Sequence, residues 1–354
     1  MFNSPPKHIC IIRLSHIGDT CHTLAVIRSI QDYWPSTKIT WIIGKVEVEL
    51  MQNIPDINFI IFDKNKGLHA YKDIKNQLKN IHFDIALCLH ASMRANPIYR
   101  LLNTPILLGF DFYRAKDWQW LFTNCRIKSK ENAHIQDSML AFTKHIGIPK
   151  SLPRWDIPIP QKDLSFAMKY TNSDQRILTI SPCSTQRLRN YRNWHPMNYA
   201  NITMNAQKLF NCKVILTGGN SLIEKKFGHE ISRLCNGQVT NLIGKTNLRQ
   251  LAAIINHSDI LISPDSGPVH IANALGTPVI GLYATSNPNR TGPYNNRHLV
   301  VNAYPEAVKH FLGKKIEQIR FGKRVRSPGA MALIKTNDVL NQINKVFYSN
   351  NINN

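Results

Sequence analysis

Acidic residues, long apolar runs and metal-binding cysteine spacings are what this sequence has little of. Its 354 residues hold 22 Asp and Glu against 44 Lys and Arg, a formal net charge of +22, with 14 His able to add charge in mild acid. That excess favours anionic partners: nucleic acid, phosphorylated sugars, nucleotides or an anionic membrane face. No stretch approaches the roughly 18 consecutive apolar residues of a membrane-spanning helix. Met1 to Ile12 holds too short an apolar run for a signal peptide. The seven cysteines, at 10, 21, 88, 125, 183, 212 and 235, form no CxxC pair and no zinc-finger spacing. Scattered and odd in number, they fit reduced thiols in a cytosolic protein. No ligand cluster points to a metal: His134 and His145 stand eleven residues apart, and neither a metal nor another cofactor is expected. With 43% apolar and 19% charged residues, disorder and fibrous classes are excluded. The expectation is a cytoplasmic protein that touches an anionic membrane face peripherally.

What is present is an alternation of strand and helix patterns. His8 to Ile12 is a short apolar run, followed by a turn and a helical pattern from Asp19 with Leu24, Ile27, Ile30 and Trp34 near one face and Pro35 closing it. Apolar runs recur at Ile39–Ile43, Phe59–Phe62 and Asp84–Leu89. Pro149, Pro153, Pro158 and Pro160 then punctuate a non-periodic stretch. Strand patterns resume at Arg176–Ile180, Val214–Thr217, Asp259–Ser263 and Val279–Tyr283. Leu248, Leu251, Ala252 and Ile255 mark a helix with one buried stripe. This predicts an α/β protein with an N-terminal Rossmann-like domain over 1–155, a linker over 156–175, a second such domain over 176–334, and a C-terminal helix and tail over 335–354. Two doubly wound halves put the C-terminal ends of their strands against a shared cleft, and ligands bind outside such ends.

Three stretches carry chemistry. In the first, Arg13-Leu-Ser-His-Ile-Gly18-Asp19, a strand meets a glycine turn and a helix start without GxGxxG, so the dinucleotide fingerprint of a dehydrogenase is absent. Asp19 stands where a helix N-cap is expected, a structural role worth about 1 kcal/mol. It also stands where a carboxylate serves as a general base. Gly18 permits close approach of a ligand. In the second, Ser184 and Thr185 precede Arg187, Arg189 and Arg192 after a strand, hydroxyls beside guanidinium forks suited to phosphate, or simply a solvated basic loop. In the third, Asp265-Ser266-Gly267-Pro268-Val269-His270 ends a strand and opens a helix, whose N-terminal N–H groups and dipole suit a diphosphate. Asp265 would repel that diphosphate if it faced it, so it is expected to bind hydroxyls or order the turn. His270 is either a ligand residue or a core residue.

In combination these motifs resemble glycosyltransferase family 9, the lipopolysaccharide heptosyltransferases. Gly18-Asp19-x-x-His22-Thr23-Leu24 is similar to the family's N-terminal motif. Asp265-Ser266-Gly267-Pro268-x-His270, with Ala272, Gly276-Thr-Pro278, Gly218-Gly219 and Tyr283 to Pro288, is similar to its nucleotide-sugar motif. The resemblance implies a GT-B fold, an inverting, metal-independent mechanism, ADP-L-glycero-D-manno-heptose as donor and the Kdo of Kdo-lipid A as acceptor. It implies Asp19 as base. Gly18, Ser184, Thr185, Arg187, Arg189, Asp265, Ser266, Gly267 and His270 would form the donor site. The family's usual lysine after the second motif's hydroxyls is absent here; Arg187, Arg189 and Arg192 are its candidate replacements. The segment from Ser181 to Asn190 looks most like the branch acting on phosphorylated Kdo. Arg114 and Lys116, beside Gly109–Tyr113, are the acceptor-binding candidates.

Two other readings remain at this level. A GT-B transferase could use another nucleotide-sugar or acceptor, since an anion cradle reads neither base nor sugar. A polyanion- or nucleic-acid-binding protein would use the net charge, but no nucleic-acid motif or aromatic–basic platform is present, and no nucleic-acid partner is expected.

Overall fold

The structure, a computed structural model, describes residues 2, 4–128, 130–150, 152–185 and 190–349. It divides into two units, Met1–Pro158 and Ile159–Asn354.

Unit 1 runs β1 (His8–Arg13), α1 (Ile17–Tyr33), β2 (Lys38–Gly44), α2 (Val48–Met51), β3 (Ile57–Phe62), α3 (Leu68–Leu78), β4 (Ile85–Leu87), α4 (Asn96–Tyr99), β5 (Leu107–Gly109), β6 (Cys125–Arg126) and α5 (Ile135–Ile146). Its six strands lie in the order β3-β2-β1-β4-β5-β6, every pair parallel. Ile9, Cys10, Ile11 and Ile12 are all fully buried, as strands covered by helices on both faces require. Pro35 lacks the N–H that would extend α1 and follows its end closely.

Unit 2 runs α6 (Gln161–Thr171), β7 (Arg176–Ile180), α7 (Pro196–Phe210), β8 (Cys212–Leu216), α8 (Leu222–Leu234), β9 (Thr240–Asn241), α9 (Leu248–Asn256), β10 (Ile260–Pro264), α10 (Gly267–Leu275), β11 (Val279–Tyr283), α11 (Pro288–Thr291), β12 (Val301–Asn302), α12 (Tyr304–Leu312) and α13 (Thr336–Ser349). Its order is β12-β11-β10-β7-β8-β9, again all parallel. Counted from the first strand of each unit, both sheets have the Rossmann order 3-2-1-4-5-6. The direction of winding reverses between β1 and β4, and between β7 and β10. Ligands of open α/β sheets bind at these switch points.

Three sequence expectations change. The stretch 156–175 contains α6, a helix of unit 2 that packs on α9 through the buried Asp163, 3.3 Å from Arg249. A buried aspartate on its inner face interrupts the apolar periodicity, which is why the segment reads as linker. The C-terminal helix is not a separate element: Val339, Ile343, Val346 and Phe347 join the main core of unit 2. Asp19 is not an N-cap. Helix α1 starts at Ile17 with His16 as its cap residue, and no side chain caps it.

Candidate active site

In unit 1 the switch point is organised by Arg13, the last residue of β1. Its nearly buried guanidinium donates from Nη1 to the Leu89 carbonyl after β4 (2.6 Å) and from Nε to the Ser15 carbonyl (2.7 Å). Its Nη2 donates to Asp19 Oδ2. A second bridge crosses the same point: the Leu14 N–H donates to His90 Nδ1 (3.1 Å), so the proton of a neutral His90 lies on Nε2. Burial, then the nearby Arg13 charge, pushes His90 down to about 3.

Asp19 sits in the first turn of α1, where a negative charge suits the helix dipole. His16 Nδ1 lies 3.7 Å from the same carboxylate oxygen and is half-exposed. Burial pushes the Asp19 carboxyl up. The Arg13 guanidinium, the neighbouring His16 imidazole and the charge of His22 outweigh it and hold the group well below the usual carboxylate range. Asp19 is therefore ionised at neutral pH, with a side chain 28% exposed. Glu47 stands near the same turn, its carboxyl pushed up by burial. His22 takes a structural place: its Nδ1 lies 2.7 Å from Gln136 Oε1, and Gln136 Nε2 donates to the His22 carbonyl (3.2 Å), which ties α1 to α5.

Arg114 is already engaged. It pairs with the buried Asp111 and donates from Nη2 to the Lys128 carbonyl (3.0 Å). Lys116 is exposed. Both lie in the segment between β5 and β6, which Gln119 fastens to the end of β4 by donating to the Cys88 carbonyl (2.7 Å).

In unit 2 the loop after β7 is closed by its own asparagines. The Ser184 N–H and hydroxyl both donate to Asn193 Oδ1 (2.8 and 3.0 Å), and Asn190 donates to Ser184 Oγ (2.8 Å) and to the Thr185 carbonyl (2.5 Å). Ser184 is buried and Thr185 exposed. Trp194 is buried edge-on against Tyr199 at the start of α7, not presented to a base. Arg187 and Arg189 lie outside the described residues.

Arg192 crosses this second switch point as Arg13 crosses the first. It donates from Nη1 to the Asp265 carbonyl (2.7 Å) and to Asp265 Oδ2 (3.2 Å), and from Nε to Asn190 Oδ1 (2.7 Å). Ser286 donates to Asp265 Oδ2 (2.7 Å). Asp265 is thus an ordering group at the end of β10. Ser266 begins α10 in extended backbone and makes no side-chain cap bond, its hydroxyl lying 2.8 Å from Ser263 Oγ. The first-turn N–H groups from Gly267 therefore have no side-chain cap, which is what an anion at a helix N-terminus uses. His270 is buried one turn in.

Gly18 and Asp19 thus share one switch point, and Ser184, Thr185, Asp265, Ser266, Gly267 and His270 gather at the other. Arg13, His90, Gln136 and Ser286 are the organising residues that the motifs alone did not single out. For Arg13 a signal existed: a cation at the last strand position before a Gly-Asp turn. Among the described residues no group of three or more His, Cys, Asp or Glu could hold a metal ion. A depression of about 340 Å³ lined by Lys162, Phe166, Lys169, Asn247, Arg249 and neighbours shares no residue with either switch point.

Two Rossmann-ordered units, each with a polar constellation at its switch point, have the GT-B fold of nucleotide-sugar transferases. The chain belongs to glycosyltransferase family 9: the family model described as "Glycosyltransferase family 9 (heptosyltransferase)" matches residues 72–318. That segment holds the second and third motifs and leaves out the first. The chain is 39% identical over 346 residues to the lipopolysaccharide core heptosyltransferase OpsX of Haemophilus influenzae, covering 98% of this chain and 99% of that protein. It is 24% identical to lipopolysaccharide heptosyltransferase 3 of Escherichia coli K12, covering 76% and 80%. Among solved structures, a family 9 glycosyl transferase from Veillonella parvula has a TM-score of 0.80 at 20% identity, covering 97% of each chain. The E. coli heptosyltransferase WaaC with ADP has a TM-score of 0.74 at 17% identity, covering 96% and 99%. These two structures share the fold.

Proposed function

We propose that the protein moves L-glycero-D-manno-heptose from ADP-heptose to the Kdo of the lipopolysaccharide inner core, with inversion and without a metal ion. The near-full-length 39% identity to a lipopolysaccharide core heptosyltransferase carries this reading. In it, unit 1 takes the acceptor and unit 2 the donor. Asp19 accepts the proton of the acceptor hydroxyl as that oxygen bonds to the anomeric carbon, while the bond to the diphosphate oxygen breaks and ADP leaves. A carboxylate held ionised by Arg13 is a weak resting base, so proton transfer proceeds with bond formation, when the hydroxyl has become acidic.

Ser184, Thr185, Arg187, Arg189 and the α10 N-terminus, with Ser266 and Gly267, hold the diphosphate and stabilise the charge that develops on it. His270 and Asp265 complete the donor site, Asp265 being aimed by Arg192 and Ser286, and Gly18 sets the first turn of α1 that carries Asp19. Arg114 and Lys116 face the carboxylate and phosphate of the acceptor. Work on a lipid-borne acceptor brings the protein to an anionic membrane face, consistent with its charge. No helix among the described residues is long and apolar enough to cross a membrane.

Calorimetric binding of ADP, UDP and GDP in EDTA at physiological salt tests the donor. Tight, ADP-selective, metal-free binding is expected. Absence of nucleotide selectivity, or a strict metal requirement, contradicts the reading.

A further inference from the structure

Five large apolar side chains stand exposed within ten residues of the segment between β5 and β6: Phe112, Tyr113, Trp118, Trp120 and Leu121, at 66, 53, 62, 39 and 50%. Outside this segment no ten-residue stretch of the described residues exposes more than two. The exposure is built in. Asp117 and Trp118 both adopt left-handed backbone, φ 51° and 56°, which ordinary side chains rarely take unless their surroundings impose it. Here the surroundings do. The fully buried Asn96 donates to the Asp117 carbonyl (2.6 Å), the Met93 N–H donates to Asp117 Oδ2 (3.1 Å), and the fully buried Gln119 anchors the next residue by accepting from the Phe110 N–H (3.2 Å). The chain is pinned from inside so that Trp118 points out.

Cations are interleaved with these rings. The Arg126 guanidinium lies 4.2 Å over the Phe112 ring and donates to the Trp120 carbonyl (3.2 Å). Arg100 lies 5.4 Å over Phe122. Residues 111–130 carry five basic and two acidic side chains, and one of the acids, Asp111, is buried against Arg114. Amphipathic aromatic rings at the headgroup level, with cations drawn to anionic lipid, are the chemistry of an interfacial membrane anchor.

We infer that this segment is where the protein docks on an anionic phospholipid bilayer, the rings entering the headgroup–acyl boundary and Arg126, Lys128 and Lys130 engaging lipid phosphates. A second copy of the chain is a poor occupant, because it would bring two sets of these cations together. The inference rests on the lipid-borne acceptor of the proposed function for its purpose. Its physical support is the patch itself.

The test is flotation of the full chain with phosphatidylcholine vesicles, with and without phosphatidylglycerol, and with brominated acyl chains as a depth probe. We expect binding to the anionic vesicles and quenching of tryptophan emission by the brominated chains. Trp118→Ser combined with Leu121→Ser should lower partitioning at least tenfold, while the melting temperature and ADP binding stay at wild-type values. Leu152→Ser, also at an exposed leucine, should change nothing. Wild-type protein that stays in solution, absence of quenching, or a double variant that partitions like wild type overturns the inference. So does a concentration-dependent dimer abolished by the double variant. Loss of ADP selectivity with vesicle docking intact would overturn the donor assignment and leave this inference standing.

Discussion

Arg13 and Asp19 face each other across the turn that ends β1, and the guanidinium that holds the carboxylate also holds the Leu89 carbonyl of the neighbouring strand's loop. One side chain therefore fixes the position of the proposed base and the geometry of the switch point. Asp19→Asn keeps an oxygen to accept from Arg13 and removes the charge. Turnover should fall by roughly 10²- to 10⁴-fold, with calorimetric ADP affinity unchanged. Wild-type turnover in this variant refutes the base assignment.

Arg13→Met acts differently. It leaves the Leu89 and Ser15 carbonyls without this donor and Asp19 without its main counter-charge. Denaturant unfolding should show a loss of roughly 2–4 kcal/mol.

Stability should depend on pH through His90. Its folded pKa, about 3, lies below its unfolded value, so between roughly pH 6.5 and 3 the unfolded chain binds a proton that the native chain does not. This contribution is fully present above 6.5 and is lost as pH falls, at up to about 1.4 kcal/mol per pH unit. Asn at position 90 supplies an oxygen for the Leu14 N–H and does not titrate. Denaturant curves at pH 7, 5.5 and 4.5 should show a shallower decline in His90→Asn than in wild type. Asp19 adds a separate contribution at lower pH. Its folded value is depressed, so its stabilisation is present above the unfolded carboxylate value near 3.9 and is lost as pH falls through the folded one.

Arg192 makes three bonds from two nitrogens, to Asn190 and twice to Asp265. An ammonium group cannot reproduce that fork. Arg192→Lys should therefore lose most of what Arg192→Met loses, about tenfold or more in ADP-heptose affinity, equivalent to roughly 1.4 kcal/mol. Full rescue by lysine, measured by calorimetry, would show that Arg192 acts only as a point charge.

The long elements were legible because each is one uninterrupted pattern. Arg176–Ile180 and Val279–Tyr283 are strands over the very residues read from the sequence. Strands β5, β6, β9 and β12 hold only two or three residues each, too few for any periodicity. Helix α6 was hidden by the prolines before it and by Asp163 on its buried face. The partners within the site were less legible than its motifs. Arg13 meets Leu89, and Arg192 meets Asp265, across more than seventy positions. Only the reversal of strand order brings those ends together.

Gly44 shows how tightly the end of β2 packs on the turn after β1. A Cβ there would collide with the Leu14 carbonyl oxygen and with Glu47 Oε2, and the first of these is backbone that cannot swing aside. Gly44→Ala should destabilise the protein by about 1–3 kcal/mol, measured as a lower unfolding midpoint. An unchanged midpoint would mean that the turn after β1 is looser than this packing requires.

The most direct measurement is turnover itself: ADP-heptose and a Kdo-lipid A acceptor incubated with the protein in EDTA, and the acceptor weighed by mass spectrometry. The acceptor should gain one heptosyl residue with stoichiometric release of ADP, at a rate roughly 10²- to 10⁴-fold lower in Asp19→Asn. An acceptor of unchanged mass with wild-type protein that binds ADP tightly, or transfer that occurs only from a UDP- or GDP-sugar, would refute heptosyl transfer from ADP-heptose.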